Sequence, residues 1–209
     1  MYLIKAFESY FISFSVLLVI LIHSHKRKSN SNVTSKIFKW LILSDMAGLV
    51  LEYLTWFFNG RMDNFYFSML KLTNVLVFIV CPLPLILWLL YEDYQIFNKT
   101  LRLKKTAIII SIFYSYIVIN SVLSAFTGWF FYFNIHNEYV RGPYFFHTQL
   151  ISLGFYLYSI YLPVKNRSLI SRRYLMAMIR APNVAPTTFP IPPARLIPPI
   201  TQAAIAFIS

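Results

Sequence analysis

The chain has 209 residues, of which 58% are hydrophobic, 19% aromatic and only 12% charged, with mean hydropathy +0.60. An ordinary soluble domain is about half apolar and about a quarter charged, so the composition argues against one. The net charge of +12 would suit nucleic acid, but the basic residues sit in short loops between apolar runs, where they mark membrane topology.

The first apolar run, 3–23, has the length of a membrane helix, ~20 residues. Lys26, Arg27 and Lys28 follow it, with Lys36 in the same inner loop. A cleaved signal peptide carries its positive charge ahead of the apolar core, so this run is expected to stay as a span with the amino terminus outside.

The second span, 37–58, contains Asp45 and Glu52. Ionisable residues inside a bilayer are costly and mark functional candidates. These two are seven residues apart, about two helical turns, and share a face. The third span, 65–91, contains Lys71 and Asn74 in its outer half and the run Cys81-Pro82-Leu83-Pro84. The two prolines remove backbone donors and should kink this helix. Glu52 and Lys71 each lie six residues from an outer span end, at a depth of roughly 9 Å, and are expected to pair. The spacing also allows these groups to line a cavity for a ligand or proton. Cys81 is the only cysteine; no intrachain disulfide can form, and packing is its expected role.

The second inner loop carries Lys99, Arg102, Lys104 and Lys105. The fourth span, 106–126, brings Ser111, Ser115, Asn120 and Ser121, expected hydrogen-bond partners for Asp45. In the outer loop that follows, Gly142-Pro143 favours a turn. Arg141 is expected either to pair with Glu138 or to meet an anionic ligand. The fifth span, 146–162, leads to Lys165, Arg167, Arg172 and Arg173. Twelve basic residues on inner loops stand against Arg61 and Arg141 outside. The expected architecture is therefore all-α: a helical membrane bundle of about five spans with the carboxyl terminus in the cytoplasm.

The tail, 179–209, differs. Seven of its residues between 181 and 199 are proline, and alanine occurs four times before residue 176 but seven times after. Proline at this density favours extended chain. The shift from Phe, Tyr, Ile, Asn and Lys, which have AT-rich codons, to Pro, Ala and Arg, which have GC-rich ones, points to a frameshift or gene junction that interrupts a sixth span begun at Tyr174; a genuine disordered cytoplasmic tail is the alternative. A downstream frame that continues the apolar run would support the junction.

No Ser-His-Asp set, P-loop or Cys/His cluster is present. His23 and His25 are expected at one membrane face and His136 and His147 at the other, so no single metal or haem site can use all four. No cofactor or metal is expected, and the chain reads as non-enzymatic. Its expected partners are the lipid bilayer, a second copy or other membrane helices, and an unidentified small ligand, with no nucleic acid.

Three segments carry a family resemblance: Trp88 to Phe97 with Leu101 to Lys105; Ala125 to Phe133 with Asn137 to Tyr144, including Tyr139-Val-Arg141-Gly142-Pro143; and Ser44-Asp45 with Glu52 and Trp56. Together, over residues 1–178, they resemble the amino-terminal membrane sensor region of bacterial diguanylate cyclases and related receptors, including some histidine kinases. The resemblance implies a sensory input region in a bacterial cytoplasmic membrane. Relatives of that kind continue into a cytoplasmic output domain. This chain lacks the Gly-Gly-Asp/Glu-Glu-Phe signature, so it is expected to be a truncated input region unable to make cyclic di-GMP. The rival expectation is a transporter subunit or carrier fragment in which Asp45, Glu52, Lys71 and Asn74 line a polar path.

Overall fold

A computed structural model describes residues 2–26 and 33–169. The expected Pro-rich tail, the apolar run from Tyr174 and the basic residues Arg27, Lys28, Arg172 and Arg173 lie outside the described residues.

The described residues form a helical bundle with one small β-hairpin. Its order is α1 (Tyr2–Lys26), α2 (Val33–Phe58), α3 (Asn64–Val80), α4 (Leu83–Phe97), α5 (Thr100–Thr127), β1 (Phe131–Phe133), β2 (Tyr139–Arg141), α6 (Phe145–Lys165) and a short 3-10 turn, Arg167–Leu169. Among the described residues three segments are long and apolar enough to cross a membrane: Val33–Phe58, Asn64–Phe97 and Thr100–Thr127. A shorter apolar stretch, Tyr10–Ser24, lies in α1. Val16, Val19, Trp40, Ile108, Ile109, Ile112 and Ile119 all point outward. So large an apolar exterior suits lipid and would aggregate in water.

The expected third span is divided. α3 ends at Val80 and α4 begins at Leu83, with Cys81 and Pro82 between them. Pro82 and Pro84 cannot donate to the preceding turn, so the ladder is interrupted. The neighbouring helix helps meet the cost: the Tyr114 hydroxyl of α5 donates to the Ile79 carbonyl at 2.8 Å. α4 then runs on to Phe97, beyond the expected end at residue 91, and stops at Asn98, which adopts a left-handed φ of 48°.

α1 packs on α2, α2 on α3 and α4, and α5 and α6 cover the other side of α4. At one end Phe78, Phe130, Phe131 and Phe145 form an aromatic cluster. Toward the other end Ile86, Leu89 and Ile110 pack with Phe155 in a second, mainly aliphatic cluster.

The hairpin is not among the expected elements. α5 stops at Gly128, whose φ of 71° favours a residue without a side chain. The Phe130 amide then donates to Ser124 Oγ at 2.6 Å, turning the chain back over the bundle end. β1 and β2 pair antiparallel, Phe131 opposite Arg141 and Phe133 opposite Tyr139. Asn134 Oδ1 accepts from the His136 and Glu138 amides, each at 2.9 Å, and closes the turn. Phe131 stacks on Phe78 of α3 at 5.4 Å and 13°.

Candidate functional site

One set of polar groups inside the bundle meets where the third apolar segment breaks. Glu52 of α2 faces this break. Its Oε2 accepts from the Tyr10 hydroxyl of α1 at 3.5 Å, and Cys81 Sγ lies 3.9 Å from its Oε1. Cys81 packs closely over Gly48, one turn from Glu52 on α2: a Cβ at residue 48 would stand 3.4 Å from Sγ. Asp45 is half-buried on the same helix and makes no hydrogen bond among the described residues. The site is thus an acidic one, built by α1, α2 and the α3–α4 break.

The expected Glu52–Lys71 pair does not form. Lys71 Nζ lies 4.6 Å from the centre of the Phe126 ring on α5. The cause is helix stagger. The residue of the third segment opposite Glu52 is Cys81, ten positions beyond Lys71, about 15 Å along a helix. Counting depth from span ends assumed level helices. Asn74 is fully buried but bonds its own helix, Nδ2 to the Leu70 carbonyl at 2.8 Å, and its Oδ1 has no partner. Neither Lys71 nor Asn74 joins Asp45 and Glu52.

The expected help for Asp45 from α5 is also absent. Ser111, Asn120 and Ser121 bond carbonyls of their own helix, at Ala107, Tyr116 and Ile117. α5 packs on α3 and α4, which stand between it and α2.

Glu138 and Arg141 do not pair either. Glu138 accepts from Asn134 Nδ2 at 2.9 Å, and the Arg141 guanidinium lies 5.0 Å from the Phe145 ring centre. They are three residues apart on extended chain, so their side chains leave opposite faces of the ribbon. The turn at Gly142-Pro143 is present, closed by the Phe145 amide on the Gly142 carbonyl at 3.2 Å. Gly142 is required there: a Cβ would collide with the carbonyl oxygens of Trp129 and Gly128.

The hairpin is strapped to the α2–α3 turn. Asn137 Nδ2 donates to the Arg61 carbonyl at 2.6 Å, the Tyr139 amide to Asn59 Oδ1 at 2.9 Å, and the Gly60 amide to the Asn137 carbonyl at 2.9 Å. The Tyr139 hydroxyl is covered and unpartnered, and burial pushes it above the usual phenol range, with Arg141 opposing.

Glu92 and Asp93 lie just beyond the expected end of the third span at residue 91 and are not among the expected intramembrane polar residues. Both are fully buried. Asp93 accepts from Arg102 Nε at 3.0 Å and from Thr106 at 3.4 Å. Neither carboxylate oxygen of Glu92 has a well-formed hydrogen bond among the described residues, and the side chain that interacts with it is the Trp88 indole N–H one turn earlier. The available signal was Glu92-Asp93 within the first resemblance segment, ahead of Arg102.

Among the described residues no group of three or more His, Cys, Asp or Glu is placed to hold a metal ion. Comparison with family models, curated proteins and solved structures finds no match to this chain.

Proposed function

We propose that the chain is the membrane-embedded sensory input region of a bacterial signalling receptor of the diguanylate cyclase type. It crosses the membrane five times, with the hairpin outside and the α4–α5 turn in the cytoplasm. The observation that carries this reading is the strapped hairpin. It joins α5 to α6, rests on α3 through Phe78 and Phe131, and is tied to the α2–α3 turn by Asn137 and Tyr139. A ligand that prefers one hairpin position would bias the bundle, by no more than its difference in affinity for the two states. α6 would carry the change to the cytoplasmic face.

Spin labels at Lys36→Cys and Val164→Cys, near the cytoplasmic ends of α2 and α6, test the coupling. Cutting the strap with Asn59→Ala and Asn137→Ala is expected to alter the distance distribution between them. An unchanged distribution would remove the mechanical basis of the proposal.

A carrier is the second reading, favoured by the acidic site at the broken helix and by Glu92, a buried carboxylate with no cation beside it among the described residues. Broken helices often flank transport sites. Vesicles loaded with a pH-sensitive dye distinguish the two. Proton uptake abolished by Glu52→Gln would favour the carrier; no uptake, with intact strap coupling, would favour the receptor.

A further inference from the structure

We infer that the concavity at the α4–α5 turn binds the phosphate of an anionic membrane lipid. It is lined by Asn98, Lys99, Thr100, Leu101, Arg102 and Lys105. Three of these are cations and none is an acid. Lys99 and Lys105 form no ion pair among the described residues. Arg102 is held in place from behind. Its Nε bonds buried Asp93, and its guanidinium carbon sits 3.4 Å from the Phe97 ring centre. The side chain is nevertheless 41% exposed and lines the concavity. Lys165, at the end of α6, is near enough to Arg102 to feel its charge.

Leu101 points out of the same turn, 75% exposed. An apolar side chain beside fixed and free cations matches a lipid, with acyl chain on one side and phosphate on the other. Free phosphate would use the cations but would gain nothing from Leu101. The inference rests on the cytoplasmic assignment of this turn, where anionic lipids are concentrated.

The test is native mass spectrometry of the full chain, titrated in detergent with phosphatidylglycerol or phosphatidylcholine. One phosphatidylglycerol is expected to bind in preference to phosphatidylcholine. Lys99→Gln with Lys105→Gln should weaken it about 30-fold, from about fivefold per lysine at a charged surface. Lys36→Gln with Lys104→Gln changes net charge equally at residues that do not line the concavity and should weaken binding much less. Lys99→Arg with Lys105→Arg should retain binding, which separates lost charge from lost fold. Equal losses in both glutamine pairs, or no lipid preference, would overturn the site. Displacement of the lipid by inorganic phosphate alone would overturn the lipid as its source. Labelling of Lys104→Cys from outside right-side-out vesicles would reverse the membrane orientation while leaving the lipid titration to stand or fall separately.

Discussion

The Tyr114 hydroxyl reaches across from α5 to the Ile79 carbonyl, 2.8 Å away, at the point where the third apolar segment breaks. Without it, an interior carbonyl would lack this donor in a region with little water. Tyr114→Phe removes the donor and little else. It is expected to destabilise the bundle by about 1 kcal/mol, the scale of interhelical hydrogen bonds in membranes. Denaturation in mixed micelles measures this. Unaltered stability would mean that the break does not depend on α5.

Asp93 and Arg102 tie α4 to α5 across a short turn. Asp93 is fully buried, whereas Arg102 is partly solvated. Removing the arginine alone strands a buried carboxylate, so Arg102→Ala should cost about 2 kcal/mol, below the range for fully buried pairs. Asp93→Leu together with Arg102→Leu should cost less than the two single changes added together. Strict additivity in that double-mutant cycle would show that the contact contributes no coupling.

The helical segments were legible because a bilayer demands long uninterrupted apolar runs, and Cys81-Pro82-Leu83-Pro84 announced the break. Side-chain partnerships were not legible. The choice of Cys81 over Lys71 opposite Glu52 depends on the stagger and rotation of two helices, which no local pattern records. The hairpin was obscured for a different reason. Phe130 and Phe131 belong to an aromatic-rich loop, and their burial against Phe78 and Phe145 comes from tertiary packing. Asn134 and Asn137 were the local clue, since asparagine closes turns with its side chain and tolerates left-handed backbone; Asn137 has φ 54°.

Gly142 and Gly154 should respond in opposite ways to the same substitution. At Gly142 a methyl group meets backbone oxygens that cannot swing aside. Gly142→Ala should cost roughly 1–3 kcal/mol, as overpacking does. It should also speed hydrogen exchange at the Gly142 and Tyr144 amides, which bond Phe130 and Trp129. At Gly154, in α6, a Cβ would meet nothing within 4 Å. Gly154→Ala should stabilise by about 0.5–1 kcal/mol through helix propensity. Equal effects at both positions would contradict the packing of the hairpin onto the start of α6.

Tyr139 gives the hairpin an alkaline limit. Its hydroxyl is buried without a partner, and its proton is held more tightly in the folded chain than in a free phenol. The folded state therefore binds more protons than the unfolded state above the ordinary phenol value, about 10. Stability linked to this group is complete below about pH 10 and is lost as pH rises toward the folded value. Tyr139→Phe abolishes that loss. At neutral pH it should be harmless or slightly stabilising, because it removes an unsatisfied polar atom. Thermal unfolding in detergent between about pH 9 and 11 measures the difference. The variant should gain on the wild type as pH rises; parallel curves would mean that the Tyr139 hydroxyl reaches water in the folded protein.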